Sequence, residues 1–173
     1  MSARPRFFTV KNPRLLCGEH PCPGGDRSVH RARLRWLFEH GVTTFVDLTE
    51  VAENEIEPYG QTVTRVERKG LRLAYHRFPI RDTQPPASRQ QVDAILDVID
   101  VALLNNEVVY LHCRSGVGRT GTVLALHLVR HGATPREALR LVQAAWAGDS
   151  RSAEWTRCPQ TDVQWRYVLE AGA

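Results

Sequence analysis

The segment HCRSGVGRTG, at residues 112–121, places a cysteine and an arginine with five residues between them. It follows the apolar run VVYL at 108–111, which is too short for a helix and typical of a strand buried in a parallel sheet. Gly116 and Gly118 let the backbone turn with positive φ, so that several N–H groups point at one anion. The positive end of the helix predicted to follow would strengthen this site. The segment therefore predicts a loop that binds a tetrahedral dianion.

Four side chains of this segment are candidates to react with the bound anion or to orient the loop. The positive field at the helix end and the nearby guanidinium favour the thiolate of Cys113, which is the nucleophilic form. Arg119 offers a planar fork that holds two oxygens, so we do not expect lysine to replace it. The hydroxyl of Thr120 is expected near the sulfur, and His112 is expected to orient the loop rather than to transfer protons. The simpler alternative is a buried structural cysteine and a surface arginine joined by a glycine turn.

The elements around this loop follow from apolar periodicity and from capping patterns. Ser88 followed by Gln91, and Thr134 followed by Pro135 and Glu137, are helix-start signals. In chain order we predict a helix over 26–40, strands over 43–48 and 71–78, a helix from 88, a strand over 108–111, a helix to about 131 and a helix over 134–147. This order predicts an α/β fold with a largely parallel central sheet flanked by helices.

Composition limits the possible classes of protein. A chain of 173 residues, 42% of them hydrophobic and 24% charged, suits one soluble domain over residues 1–173, with an irregular N-terminal segment over 1–25. Neither a membrane span nor a secretory leader is predicted, so we expect a cytoplasmic protein. The net charge is +4, but the basic residues are scattered. We therefore expect no nucleic-acid partner, and we expect a monomer.

The four cysteines are predicted to be thiols rather than a disulfide framework. Cys17, His20 and Cys22 resemble half of a zinc site, but no second pair completes four ligands, so no metal is predicted. An accessible Cys113 thiolate would be prone to oxidation to a sulfenic acid. Cys17, Cys22 or Cys158 would then be the candidate to form a disulfide with it, and the sequence does not decide among them.

The string HCRSGVGRTG is similar to the phosphate-binding loop of the cysteine-dependent protein tyrosine and dual-specificity phosphatases. This resemblance implies a dual-specificity-phosphatase-like fold. It also implies that the loop between the cysteine and the arginine contacts phosphate, through Arg114, Ser115, Gly116, Val117 and Gly118. FPIRDTQPP at 78–86 resembles the mobile loop that carries a catalytic aspartate in these enzymes, which would be Asp82. The alternative for Asp82 is an exposed aspartate in a turn before prolines.

The outer segments resemble a small bacterial-type branch of the same superfamily more weakly. They are LLCGEHPCPGGD, FVDLTE and RCPQTDVQWRYV, so the resemblance covers most of residues 13–168. By this resemblance Gln164 helps to position the hydrolytic water. The alternative is an ordinary glutamine on a helix surface.

The resemblance implies hydrolysis of phosphomonoesters through a phosphocysteine, without a cofactor. Phosphotyrosine in proteins is the first expectation for the substrate, with phosphoserine and phosphothreonine next. Arg114 keeps phosphoinositides or inositol phosphates as the alternative, although Val117 stands where several lipid-directed relatives carry a second basic residue. More remote alternatives are removal of RNA 5′-phosphates, a rhodanese-like sulfurtransferase and a phosphate-binding pseudoenzyme. The five-residue interval argues against the sulfurtransferase, whose loops usually have a shorter one.

Overall fold

The computed structural model describes residues 4–22, 24, 26–53, 59–65 and 73–171. Its strands are β1 (Phe7–Phe8), β2 (Leu15–Gly18), β3 (Val42–Asp47), β4 (Ala74–Arg77) and β5 (Val108–His112). Its helices are α1 (Arg27–Glu39), α2 (Gly60–Arg65), α3 (Arg89–Leu104), α4 (Gly118–Arg130), α5 (Pro135–Ala147) and α6 (Asp162–Glu170). Short 3₁₀ turns occupy Val51–Glu53 and Ser150–Ala153.

The five strands form one sheet in the order β1-β2-β5-β3-β4. β5 pairs in parallel with both β2 and β3, and β4 pairs in parallel with β3, whereas β1 runs antiparallel to β2. Parallel strands place their carboxyl ends at the same edge of a sheet, where ligands bind in open α/β folds. The loop that follows β5 therefore emerges beside the residues that follow β2 and β3.

Helices cover both faces of the sheet. The larger core cluster packs apolar side chains of α3, α4, α5 and α6 against one face, with Trp146 as its largest buried side chain. The smaller cluster packs α1 and α2 against the other face, around Phe45 and Tyr110. β5 is buried between these layers, which explains why its sequence shows no alternation of apolar and polar residues.

The helix starts agree with the capping signals. The side chains of Asp26, Ser88 and Thr134 accept hydrogen bonds from the backbone in the first turns of α1, α3 and α5. Gly41 follows the end of α1 with φ of +82°, a conformation that glycine adopts without strain. The prediction of an α/β fold with a largely parallel sheet flanked by helices in one domain is confirmed. No helix in the described part of the chain is long and apolar enough to cross a membrane.

Two predictions about the ends of the chain need correction. The segment over residues 1–25 is not irregular throughout, because it contains β1 and β2, and β2 is completely buried beside β5. β2 has only four residues, and its stability comes from a partner about ninety positions away rather than from a local pattern. The predicted elements end at residue 147, but the segment after Gly148 contains α6, which packs against α4 and α5.

The described part of the segment between β3 and β4 contains a helix that the periodicity did not predict, α2. The strand predicted over 71–78 is observed as Ala74–Arg77, and residues 71 and 72 lie outside the described residues.

Candidate active site

The loop from Cys113 to Gly118 joins the end of β5 to the start of α4 and lies against the end of β2. Gly116 has φ of +75°, and a Cβ atom there would stand 2.3 Å from the carbonyl oxygen of Gly18. Any side chain at this position would therefore be strained and would also collide with backbone. Both the turn and the close approach require the glycine that the sequence provides.

The loop forms a cradle of free N–H donors. Among the described residues, the backbone N–H groups from Arg114 to Thr120 donate no hydrogen bond. Two carbonyls of the loop are tied away from it: that of Arg114 accepts from the backbone of His20 at 2.9 Å, and that of Ser115 accepts from Arg151 Nη1 at 2.9 Å. The side chain of Val117, the N-cap residue of α4, makes no capping bond. These donors and the helix end are therefore available to an anion.

Cys113 lies at the floor of a cavity of about 400 Å³ that opens beside this cradle. The side chain is 2% exposed, so the sulfur can be reached only through the cavity. The cavity is lined by Asp82, Cys113, Arg114, Ser115, Gly118, Arg119, Trp155 and Gln160. The nucleophile, the arginine and the carboxylate that the sequence singles out thus meet in one place.

Arg119 is buried and is held by two carboxylates and a carbonyl. Its two terminal nitrogens donate to the two oxygens of Glu53, Nη1 also donates to the carbonyl of Ile80 at 3.1 Å, and Nη2 lies 2.9 Å from Asp82 Oδ1. Burial lowers the pKa of Arg119, but the hydrogen bonds to Glu53 and the surrounding negative charges outweigh it and raise the pKa above its ordinary value. The guanidinium is thus permanently charged and fixed in orientation.

Glu53 is a site residue that the sequence interpretation did not identify. Burial opposes its charge, but the hydrogen bonds from Arg119 and from the backbone of Glu50 hold its pKa below the ordinary value. It lies in a short 3₁₀ turn after β3, among several other acidic residues, so its position in the sequence carries no distinguishing signal.

Asp82 projects into the cavity from the loop between β4 and α3. Its side chain is 57% exposed, as the turn interpretation expects, but Oδ1 faces Arg119. The loop is anchored from α6 and the residue before it: Thr161 donates to the carbonyl of Thr83 at 3.0 Å, and Gln164 Nε2 donates to the carbonyl of Gln84 at 3.2 Å. The carboxylate of Asp82 is therefore exposed, whereas the two residues that follow it are held by hydrogen bonds from Thr161 and Gln164.

His112 is completely buried beneath the loop. Nδ1 lies 3.2 Å from the carbonyl of Cys113, to which it donates, and Nε2 then accepts from the hydroxyl of Tyr59. Burial lowers the pKa of His112, in spite of the nearby carboxylate of Asp47, so the ring is neutral at neutral pH. This geometry suits a residue that orients the loop.

His20 packs edge-on against the rings of His112 and Tyr59, with centroids 5.0 and 5.2 Å away. Its Nδ1 accepts a hydrogen bond of 3.0 Å from the backbone N–H of Cys22, which only an unprotonated nitrogen can do. Burial and the neighbouring His112 lower the pKa of His20 to about 3. The region behind the loop is therefore built from neutral histidines.

Two predicted residues are placed differently from expectation. The hydroxyl of Thr120 is buried but has no hydrogen-bond partner among the described residues, so it makes no hydrogen bond to the sulfur of Cys113 in this structure. Gln164 is not on a helix surface, because it is completely buried, and its amide packs against Gly118 of the loop, where a Cβ atom would stand 2.9 Å from Nε2. Its amide oxygen accepts from the backbone of Thr161 in a capping box that starts α6. The glutamine that lines the cavity is Gln160.

Arg151 is a second residue that the sequence interpretation missed. It is buried, its guanidinium lies 4.9 Å above the ring of Trp146, and two of its nitrogens bind the carboxylate of Asp149 at 2.7 and 2.6 Å. Its third nitrogen holds the carbonyl of Ser115. No local pattern in the sequence marks it, since the contact spans 36 positions.

The other three cysteines are buried thiols. Burial raises the pKa of Cys17 and of Cys158 above the ordinary value, and that of Cys22 to about 12. Cys158 donates to the carbonyl of Val117 at 3.3 Å, which places it next to the phosphate loop. Oxidative pairing with Cys113 remains a prediction.

The sheet is mostly parallel, and the loop with the cysteine and the arginine lies at the carboxyl end of its central strand. This arrangement places the protein in the class of the cysteine-dependent phosphatases. The family described as "Polymorphic toxin system, DSP-PTPase phosphatase" matches residues 23–133. The chain therefore belongs to this family of dual-specificity and tyrosine phosphatases.

Individual proteins agree with this assignment. "Putative tyrosine phosphatase 067L" of Invertebrate iridescent virus 3 is 34% identical over 107 residues, which are 60% of this chain and 41% of that protein. The chain thus spans less than half the length of this curated relative. A kinase associated phosphatase with its catalytic-site cysteine replaced by serine has a TM-score of 0.75 at 18% identity, covering 96% of this chain and 93% of the other. PTPMT1 in complex with PI(5)P has a TM-score of 0.67 at 17% identity, covering 95% and 93%. These two structures show a shared fold.

Proposed function

We propose that this protein hydrolyses phosphomonoesters through a covalent phosphocysteine formed on Cys113. The observation that carries the proposal is the cradle of unpaired N–H groups between Cys113 and Arg119, with Asp82 at its rim. Such a cradle matches the equatorial oxygens of a phosphoryl group in transfer, whose charge it stabilises without reorganisation.

In the first step the Cys113 thiolate attacks phosphorus in line with the ester oxygen. The S–P bond forms as the P–O bond breaks, and the carboxylic acid of Asp82 gives its proton to the departing oxygen. Asp82 is suited to this role because its side chain is exposed within the cavity rather than buried in protein.

In the second step water attacks the phosphocysteine. The water gives a proton to the Asp82 carboxylate, the P–S bond breaks, and inorganic phosphate leaves the regenerated thiolate. Gln160 supports the placement of this water, because its side chain lines the cavity whereas the amide of Gln164 is used in capping α6. Thr120 remains the proposed donor to the thiolate, since its buried hydroxyl has no other partner among the described residues.

Arg119 exchanges partners during this cycle. In the structure Asp82 occupies one side of its guanidinium at 2.9 Å, where two phosphate oxygens would bind. Bound phosphate displaces Asp82 toward the leaving oxygen, while Glu53 keeps the fork in place from the other side. Glu53 is thus proposed as the residue that positions Arg119.

We propose phosphotyrosine in proteins as the preferred substrate, with phosphoserine and phosphothreonine as further substrates. Trp155 lines the cavity, and its backbone is fixed by bonds to Arg151 and Trp146, so it offers a rigid surface for an aromatic ring. Val117 is buried in the core and adds no charge to the cavity.

Phosphoinositides or inositol phosphates are the second candidate. The exposed Arg114 lines the cavity next to Cys113, where it can bind an additional phosphate. A structural neighbour, PTPMT1, is known in complex with PI(5)P. A cytoplasmic location stays a prediction.

The proposal is tested by hydrolysis of an aryl phosphate in wild type and Cys113→Ser, with chelator and vanadate in parallel. We expect turnover that resists chelator, is inhibited by vanadate and disappears in the variant. Comparison of phosphotyrosine peptides, inositol phosphates and 5′-phosphorylated RNA then assigns the substrate class. Turnover that survives in Cys113→Ser would contradict a phosphocysteine on this residue, and a folded wild type without turnover would favour a phosphate-binding or sulfur-transfer protein.

A further inference from the structure

A second cluster of ionisable groups lies at the far end of α4 from the cavity. His127 lies in the last turn of α4 and His131, four residues later, is its C-cap residue, and the centroids of their rings are 4.5 Å apart. Asp100 of α3 faces both rings: its Oδ1 lies 3.2 Å from His127 Nδ1 and 2.9 Å from His131 Nε2. None of these residues lines the catalytic cavity.

The state of His127 indicates that this cluster is built for a ligand. The side chain is only 9% exposed, yet Nδ1 has no hydrogen-bond partner among the described residues. The nearby carboxylate oxygen of Asp100 does not serve as one, although it is close enough. Buried ring nitrogens normally have a hydrogen-bond partner, so the unpaired nitrogen of His127, which points into the cluster, is available to bind a ligand.

The distances in the cluster suit a small metal ion. Tetrahedral nitrogen and oxygen ligands, each about 2.0 Å from zinc, stand about 3.3 Å apart. The two distances from Asp100 Oδ1, 2.9 and 3.2 Å, are close to this value, and all three ligand atoms lie within 4.8 Å of one another. Two imidazoles and a carboxylate are a ligand set that divalent zinc accepts.

Arg130 supports the orientation of the carboxylate. Its Nη1 donates to Asp100 Oδ2 at 3.2 Å, and the same guanidinium binds Asp97 and Asp93 at 2.7 and 3.1 Å. Oδ2 is thereby engaged while Oδ1 turns toward the histidines. Groups that orient a ligand in this way are a usual part of metal sites.

The buried trio behind the catalytic loop lacks these properties. There both nitrogens of His112 are used in hydrogen bonds, and Nδ1 of His20 accepts from the backbone of Cys22. Asp47 likewise accepts from Thr49 and Tyr75. The printed hydrogen bonds of this trio thus go to neighbouring groups outside it, and no atom of the trio stands buried without a partner as His127 Nδ1 does.

We propose that Asp100, His127 and His131 bind a divalent transition-metal ion of the Zn²⁺ class, which links α3 to α4. Three protein ligands leave a fourth position for water, and no part of the phosphatase reaction is assigned to this ion. Because the ion binds the folded state and joins two helices, it stabilises the protein by an amount that rises with the free metal concentration relative to the dissociation constant.

Zn²⁺ binding is tested by calorimetric titration of the 173-residue Cys113→Ser protein, in which zinc cannot bind the thiolate of Cys113. His131→Ala is the main variant, because this side chain is 55% exposed and its removal leaves the core intact. Asp100→Asn is the second variant. His40→Ala is the matched control, since His40 is also an exposed histidine at the end of a helix.

We expect one zinc per chain in the parent and the His40→Ala protein, and an apparent affinity at least about tenfold weaker in His131→Ala and Asp100→Asn. The thermal midpoint should rise with Zn²⁺ in the first two proteins and not in the other two. Absence of saturable binding in the parent would overturn the proposal. Unchanged affinity in His131→Ala would also overturn it, because the zinc would then be bound elsewhere.

Discussion

His20 is expected to make the stability of this protein sensitive to acid, because its ring is buried and accepts a hydrogen bond that a protonated nitrogen cannot accept. The folded state holds the ring neutral with a pKa of about 3, whereas the ordinary value is 6.5. Between these values the unfolded chain binds more protons than the folded one, so the free energy of unfolding falls as the pH falls. At about pH 5 the loss from this one residue is about 2 kcal/mol, at roughly 1.4 kcal/mol for each pH unit below the unfolded pKa.

The variant His20→Asn isolates this contribution. An asparagine oxygen can accept the hydrogen bond from the backbone of Cys22, as Nδ1 does now, but it does not titrate. The variant loses ring packing and is less stable at every pH, so the relevant quantity is the change between about pH 8 and pH 5. That change should be about 2 kcal/mol smaller than in wild type.

The assay is reversible denaturant unfolding at both pH values, with reductant to keep the cysteines reduced. His40→Asn provides the control, because it also removes a histidine but at an exposed position. Comparison of the two variants separates the effect of the buried ring of His20 from that of removing any histidine. The reasoning would be refuted if His20→Asn lost as much stability as wild type between the two pH values.

Three substitutions near the catalytic loop give further expected outcomes. Asp82→Asn should lower kcat by about 10²- to 10⁴-fold on an alkyl phosphate and by less on an activated aryl phosphate, because only a poor leaving group needs the proton. Initial rates measured on both substrates test this difference. Arg151→Met leaves the carboxylate of Asp149 buried without its partner, so denaturant unfolding should show a loss of about 3 to 5 kcal/mol, and an unchanged midpoint would contradict the pairing. Gly116→Ala adds a Cβ 2.3 Å from the carbonyl oxygen of Gly18, at φ of +75°, so vanadate binding measured by calorimetry should be lost.

The catalytic loop was predictable because its determinants are local. The apolar run of β5, the turn at Gly116 and the start of α4 are contiguous in the sequence. Their residue types favour a strand, a positive φ and a helix in turn. The capping signals at Ser88 and Thr134 are local in the same way, and both helices begin where these signals place them. The sequence predicted that the sheet is largely parallel, but it did not predict the order of the strands. The position of β2 depends on its pairing with β5, which is far away in the sequence.

The supporting residues of the site were not predictable from local pattern. Glu53 reaches Arg119 across 66 positions and Arg151 reaches Ser115 across 36, so only the folded chain brings them together. Gln164 is different, because the sequence does contain its signal. Thr161 followed three residues later by a glutamine is a capping-box pattern, which predicts that the amide caps α6 rather than faces a substrate.

The central claim is the covalent intermediate on Cys113, and rapid acid quench during turnover of an aryl phosphate tests it most directly. Peptide mass spectrometry of the quenched Asp82→Asn protein, in which hydrolysis of the intermediate is slowed, should find one added phosphoryl group on the peptide that contains Cys113. The same experiment on Cys113→Ser should give unmodified peptide and no product. Product formation with no phosphocysteine at any quench time, or a phosphoryl group on another residue, would contradict the account.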